Sequence, residues 1–291
     1  MKLARKISLG ILVGLILGTL ISYLYSSLYE NRCKNRVFSN LQENITEDVM
    51  EANIGITLHL QQKADNVSSS SYESYGSGVI FRRDDDAAET TYYALTAYHV
   101  ITGDASNATI SPNGDHIEVS WEMIIQPYGE KTLKEANAEA RDLGKHFSAD
   151  DFYGNFDRAE LVVYSEEQDI AVIRFASERA YGVLDICQSD VAKGEQIICI
   201  GNPEGEEFSV HYGRILSEDT KKFHTNDGTS DSQVIKHNAY VAPGSSGSAV
   251  LNEEMEIVGI NIGGATNIFG KYCNGAMIPA EDLRELVNRL P

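Results

Sequence analysis

The run Val241-Ala-Pro-Gly-Ser-Ser-Gly-Ser-Ala-Val250 sets a serine, Ser246, between Gly244 and Gly247, with Pro243 before it and an apolar run after it. A serine hydroxyl is a poor nucleophile until a base takes its proton and its oxygen is held exposed. Glycine adopts positive φ without steric cost, so the backbone can turn sharply here. Such a turn can aim the amides of Gly244 and Ser246 at one point, which is what a developing oxyanion needs. Alone, the stretch also reads as a Gly/Ser loop between strands. His99 ends the apolar run Leu95-Thr-Ala-Tyr-His-Val100, and alone it reads as a half-buried structural histidine. Asp169 opens the apolar run Asp169-Ile-Ala-Val-Ile-Arg-Phe175. A carboxylate there is costly to bury unless paired, although a strand-entry cap is the plain alternative. Together the three supply a nucleophile, a base and a group to orient the base, the set used in acyl transfer.

In the order His99, Asp169, Ser246 these residues resemble the triad of the chymotrypsin-like serine peptidases, most closely the HtrA-like (high-temperature-requirement) branch. The matching phrases are Gly76-Ser-Gly-Val-Ile-Phe81, the His99 and Asp169 runs, Ile200-Gly-Asn-Pro-Glu-Gly205, Gly213-Arg-Ile215, the serine loop and Val258-Gly-Ile-Asn-Ile262. They run collinearly from about residue 51 to the C-terminus. The resemblance implies two six-stranded β-barrels with the triad between them and peptide-bond hydrolysis of a protein or peptide substrate. Ser246 would attack, His99 would shuttle the proton, Asp169 would fix the imidazole, and the Gly244 and Ser246 amides would hold the oxyanion. No metal or organic cofactor is implied. Tyr240, Gly263, Gly264 and Gly275 are expected near the primary specificity pocket. No acidic residue falls at its base, so small or medium apolar side chains are expected rather than Lys or Arg. Two positions depart from the pattern. Ser245 stands where trypsin-type zymogens carry an aspartate, and Ala242 where HtrA-like sequences usually have asparagine. The chain also reads as lacking the PDZ domain that many HtrA-like proteins carry.

Other classes stay in view. An α/β-hydrolase needs glycines two places before and after the serine and its histidine last; here Ser248 takes the later glycine position and His99 comes first. A membrane-tethered binding or sensor domain that kept this fold without turnover, or an esterase using the same triad, fits the same residues.

The elements that must position these side chains read as mostly β. Short apolar or alternating runs at 54–60, 76–82, 92–100, 160–164, 170–175, 195–201, 208–216, 233–241, 248–252 and 256–263 are separated by turn residues, the signature of an all-β barrel or sandwich. Asp65 to Ser77 reads as a loop, and Arg83–Asp86 as a solvated acidic turn. Residues 122–158 are an insertion, with an amphipathic helix from about 132 to 147 opened by the capping-box spacing of Thr132 and Glu135 and packed on the barrel. It is expected on the rim of the cleft, as a lid, a docking surface or decoration. Pro279 opens a C-terminal helix with Leu283, Leu286, Val287 and Leu290 on one face.

Ahead of this domain (51–291, barrels at 51–176 and 185–291), residues 1–6 are basic and Ile7–Tyr25 carries no charge. As a helix that run is about 28 Å long, close to the hydrocarbon thickness. No A-x-A-like cleavage site follows, so an uncleaved signal anchor is expected, with residues 1–6 cytoplasmic and the peptidase domain extracytoplasmic. Gly10, Gly14 and Gly18 form a small-residue stripe that fits homo-oligomer packing of the helix, or simply the glycine content of membrane helices. Residues 26–50 read as a polar stalk. The formal charge of −19 argues against nucleic-acid binding, which requires neutralising phosphates. Cys33, Cys187, Cys199 and Cys273 show no metal-ligand spacing; a Cys187–Cys199 or Cys199–Cys273 bridge stays open. The other histidines, His59, His116, His146, His211, His224 and His237, read as structural. Asn44, Asn66 and Asn107 begin N-x-Ser/Thr sequons.

Overall fold

The computed structural model describes residues 2–64, 67–85, 89–102, 118–203, 208–224 and 231–290. The sequons at Asn66 and Asn107, His116, Asp86 and the end of the Ile200–Gly205 phrase lie outside the described residues.

The chain opens with α1 (Lys2–Lys34), one continuous helix that is long and apolar enough to cross a membrane. It does not stop at the expected end of the span. Two short helices follow, α2 (Ser39–Gln42) and α3 (Glu47–Glu51), the latter capped by the Thr46 side chain. Residues 26–50 are therefore not a free stalk. Cys33, Leu41, Val49 and Met50 are buried, and Arg36 Nη1 donates to Asn238 Oδ1 at 2.6 Å. Local periodicity there is weak because the contacts are made with chain two hundred residues away.

The first barrel is closed, in the order β1-β2-β3-β6-β5-β4, from β1 (Asn53–Ala64), β2 (Val67–Asp85), β3 (Thr90–Ala97), β4 (Glu118–Pro127), β5 (Asp157–Ser165) and β6 (Ile170–Ser177). Ile54, Ile56 and Leu58 of β1 fall at every second position and are buried, as one inward face requires. Each such side chain contributes about 1.5–3 kcal/mol. The expected loop at 65–77 is instead mostly strand: β2 pairs with β1 from Ala64↔Val67 onward. Its serines carry no apolar alternation, so the extended hairpin is set by pairing rather than by pattern. The expected strand through Val100 ends at Ala97 and gives way to a helical turn, α4 (Tyr98–Thr102), which carries His99.

Within the insertion, α5 (Leu133–Asp142) has the expected capping box, with Thr132 and Glu135 bonded reciprocally. It is shorter than expected and buries no residue; Leu143 is exposed. It lies over the barrel without packing into it. A second helix, α6 (Ala149–Tyr153), follows, and its Tyr153 is buried.

The second half holds β7 (Gln196–Gly201), β8 (Ser209–Arg214), β9 (Lys221–His224), β10 (Asp231–His237), β11 (Ala249–Leu251), β12 (Ile257–Thr266) and β13 (Tyr272–Pro279), in the order β8-β7-β11-β12-β13-β10-β9. β9 and β13 had no separate signal in the sequence. The sheet curls back on itself, because an Ile215–His237 bridge joins the end of β8 to β10. Six strands thus form a half-open barrel, with β9 a hairpin extension of β10. The last helix, α7 (Ala280–Val287), buries Ala280, Leu283 and Leu286 and packs against β5, β6, β12 and β13. It ties the two halves together beside the Asp169 turn, where Gln168 Nε2 donates to Asp282 Oδ1 at 2.8 Å. All four cysteines are free, so neither bridge forms.

Candidate active site

Asp169 sits in the turn between β5 and β6, at φ 55°, a conformation that aspartate tolerates better than most residues. Its side chain is 4% exposed. Both oxygens are used by the same residue across the barrel end: Oδ1 accepts from the His99 backbone N–H at 2.8 Å, and Oδ2 lies 2.7 Å from His99 Nδ1. The Asp169 carbonyl also accepts from Tyr98 N–H. These bonds offset the desolvation of the carboxylate. They also direct the Nδ1 proton to Asp169 and leave Nε2 as the free basic nitrogen of a ring that is about one-third exposed.

The serine loop reaches this end of the first barrel through close backbone contacts. Ser77 N–H donates to the Ser246 carbonyl at 2.8 Å, and Ser77 Oγ donates to the Gly244 carbonyl at 2.9 Å. Gly247, at φ 82°, lies so close to β2 and β3 that a Cβ there would sit 2.0 Å from Ser77 O and 2.4 Å from Thr96 Oγ1. A Cβ on Gly76 would sit 2.5 Å from Ser246 O and 2.7 Å from Val100 Cγ2, the residue after His99. The Ser246 carbonyl and Val100, the neighbour of His99, thus both pack on Gly76. No hydrogen bond joins Ser246 Oγ to His99 among the described residues. Gly244 has φ 97°, and neither its amide nor that of Ser246 donates to any described protein atom. Two unspent donors in the loop that carries the serine are what an oxyanion site requires.

Ser245 and Ala242 support each other in place of the residues expected from the family pattern. Ser245 N–H donates to the Ala242 carbonyl at 2.9 Å, and Ala242 N–H donates to Ser245 Oγ at 3.2 Å. From behind, Gly247 N–H donates to the Asn261 carbonyl, and Asn261 Nδ2 donates to Ser248 Oγ at 2.8 Å. Asn261 Oδ1 meets His237 Nε2 at 2.7 Å, and burial lowers the His237 imidazole to about 4. Sequence reasoning gave Ser77, Asn261 and His237 no role at this site. The glycines around Ser77 were the available signal, since they mark a close approach of two backbones.

The four expected pocket residues also converge. Gly264 of β12 pairs with Gly275 of β13, and Gly263 faces Phe223, 3.2 Å from where its Cβ would be. A Cβ on Gly264 would sit 2.9 Å from Val241, and one on Gly275 would strike the His237 ring. The Tyr240 ring packs edge-on against His211 and Tyr272, with Lys34 Nζ 4.4 Å from its centroid. Cys33 from α1 joins Tyr240, Val241 and Tyr272 in one small apolar cluster. On the other flank, a groove of about 950 Å³ opens between α5 and the barrels, lined by Tyr72, Tyr128 and Asn202 among others. Among the described residues no group of acidic, histidine or cysteine side chains is set to hold a metal ion.

A family model described as "Trypsin-like peptidase domain" matches residues 76–260. "Serine protease Do-like HtrA" of Lactococcus lactis subsp. lactis is 26% identical over 229 residues, covering 75% of this chain and 45% of that protein. "Serine protease Do-like HtrB" of Bacillus subtilis is 28% identical over 218 residues, covering 74% of this chain and 38% of that one. The chain thus spans less than half the length of these relatives. Among solved structures, the HtrA-type protease AlgW with a decapeptide has a TM-score of 0.56 at 18% identity, covering 87% of this chain and 68% of that one. A protein from M. tuberculosis H37Rv in its inactive form has a TM-score of 0.50 at 14% identity, covering 83% of this chain and 87% of that one. At such identities these two likenesses speak to the fold alone.

Proposed function

The chain belongs to the trypsin-like peptidase domain family, and on that premise we propose that it is a membrane-anchored, HtrA-like serine endopeptidase. The observation that carries the reading is the His99–Asp169 pair, bonded through both carboxylate oxygens, beside a serine loop with two unspent amides. In this reading Ser246 Oγ attacks the scissile carbonyl carbon as His99 Nε2 takes its proton. Asp169 holds the imidazole tautomer and stabilises the imidazolium. The imidazolium then protonates the leaving amine, and water repeats the sequence on the acyl-enzyme. The Gly244 and Ser246 amides receive the oxyanion; losing one such donor costs about 3 kcal/mol of barrier. Tyr240, Gly263, Gly264 and Gly275 line the substrate side and favour apolar side chains. α1 anchors the domain on the extracytoplasmic face, and a protein or peptide is the substrate.

A fluorophosphonate probe tests the reading. Wild type is expected to label at Ser246 and Ser246→Ala not at all; an unlabelled wild type or equal labelling of the variant overturns it. A catalytically silent binding domain is the second reading, supported by the missing Ser246–His99 hydrogen bond. It requires that the probe fail on native protein in vesicles as well as in detergent. Matched peptide and ester substrates then separate a peptidase from an esterase.

A further inference from the structure

The expected span and the folded domain meet at one level. From Ile11 to Tyr25 every side chain of α1 is exposed, and burial begins at Ser26, one residue past the end of the uncharged run expected to span. At this level the turn between β12 and β13 reaches the helix. The Phe269 ring meets the Tyr23 ring edge-on, 5.7 Å between centroids. Beside it Ile268 is 87% exposed. The turn is well built: Asn267 Oδ1 accepts from both Phe269 N–H and Lys271 N–H, and Gly270 takes φ 71°. Behind it Lys271 pairs with Glu30 of α1 at 3.8 Å. One exposed isoleucine is ordinary on a protein surface; what singles this one out is that its turn touches the helix read as the span, at Tyr23.

We propose that the Ile268–Phe269 tip enters the bilayer interface beside the span, a second membrane contact that sets the height of the cleft. The proposal rests on the reading of α1 as a membrane anchor. A residue that touches Tyr23 lies at the edge of the hydrocarbon if Ile7–Tyr25 fills it, and tyrosine is itself suited to that boundary. Two rulers then give the height of the specificity wall. Along α1, Tyr25 to Cys33 is about 12 Å at 1.5 Å per residue. Along β12, Thr266 back to Gly264 is about 7 Å at 3.3 Å per residue, and the turn from Thr266 to Ile268 adds two residues more. They end at one place, because Cys33 and Val241 share a cluster and Val241 abuts Gly264. The wall thus stands one headgroup layer and a few ångströms clear of the hydrocarbon. An extended substrate strand covers that height in about four residues. The substrate class that fits is a polypeptide segment adjoining a membrane helix.

The test uses the full chain in phosphatidylcholine vesicles. In a Trp121→Phe background, which removes the only native tryptophan, single tryptophans are placed by Ile268→Trp and Leu15→Trp. Both are expected to be quenched by doxyl-labelled lipids, Ile268→Trp more strongly by the shallow label and Leu15→Trp by the deep one. If Leu15→Trp is quenched while Ile268→Trp responds only to aqueous iodide, the second contact is wrong and the anchor stands. If Leu15→Trp is not quenched, the anchor reading falls and takes this inference with it. Function gives an independent arm. Ile268→Asp is expected to slow cleavage of a sequence fused close to a membrane helix by about tenfold or more, the scale of losing one buried aliphatic side chain. Cleavage of the same sequence as a free peptide should be unchanged; an equal effect on both overturns the proposal.

Discussion

In the first barrel, Asp169 and His99 are joined by two hydrogen bonds within a single closed sheet, 70 residues apart in the chain. In the second half the serine loop is held by its own sheet and by parts from outside it. Ser77 comes from the first barrel, Asn261 from β12, and Cys33 and Arg36 from the end of α1 and just beyond. The His99–Asp169 pair is ordered by its own barrel, whereas Ser246, the proposed nucleophile, is ordered by its own sheet and by neighbours together. This is a reasonable division for the proposed hydrolase: the buried carboxylate cannot be left unpaired, while the loop can be ordered by what packs on it. Perturbing the first barrel should then abolish chemistry without moving the loop. Perturbing the loop's supports should lower catalysis by degrees.

The largest effect is expected at Asp169→Asn. Asparagine tolerates the φ of 55° as aspartate does, so the turn should persist and the change isolates the charge and the tautomer it fixes. Turnover of a peptide substrate should fall about 10³–10⁴-fold, with a thermal midpoint close to that of wild type. A drop of less than tenfold would deny that the pair is the working base. Gly247→Ala is the counterpart in the second half. A Cβ there meets Ser77 O and Thr96 Oγ1 at a positive φ, so the loop must lift from the first barrel. Stability should fall by about 3 kcal/mol, from left-handed backbone strain plus overpacking, and probe labelling should fall with it. Unchanged labelling would mean that the loop is not positioned by this contact.

The comparison also explains what could be read in the sequence. The His99 and Asp169 runs are apolar with a titratable residue at one end, so their places beside strand ends were legible, although the helical turn that carries His99 was not. The serine loop announced itself through its glycines, whose positive φ at Gly244 and Gly247 the structure bears out. Where the fold departed from expectation, pairing or long-range packing had overridden local pattern. β2 through Ser68–Ser71 is strand because β1 lies beside it. β13, Tyr-Cys-Asn-Gly-Ala-Met-Ile-Pro, is broken by Asn274 and Gly275, yet Gly275 is required there because the His237 ring occupies the space of a Cβ. The end of α1 read as stalk because its partners, Tyr240, Val241 and Asn238, are remote in sequence.

His237 turns the division into a pH dependence. Its folded value of about 4 lies below the ordinary histidine value of 6.5, because burial disfavours the charged ring. Between those values the unfolded chain binds the proton and the folded chain does not. The stabilisation is therefore complete above about pH 6.5 and is lost as the pH falls toward 4, by on the order of 3 kcal/mol in all. Denaturant unfolding at pH 7 and pH 5 should show the loss, and His237→Gln should flatten that slope. If the variant keeps the wild-type slope, the buried His237–Asn261–Ser248 chain is not what acid attacks.

The smallest and most discriminating change is Ser77→Ala. It leaves both backbone bonds of Ser77 in place and removes only the hydroxyl that donates to the Gly244 carbonyl and accepts from Asn202 N–H at 3.1 Å. The Gly244 carbonyl belongs to the peptide linking it to Ser245, so the hydroxyl helps fix the orientation of the two amides on either side. Losing it leaves a partly buried donor and acceptor without this partner, a cost of about 1–2 kcal/mol. If that cost falls on the geometry of the oxyanion site, a transition-state analogue such as a peptide boronate should bind about tenfold more weakly while KM for the matching substrate barely moves. Were analogue affinity and KM to shift together, Ser77 would be acting on general loop docking, and the unspent amides of Gly244 and Ser246 would owe their arrangement to the second half alone.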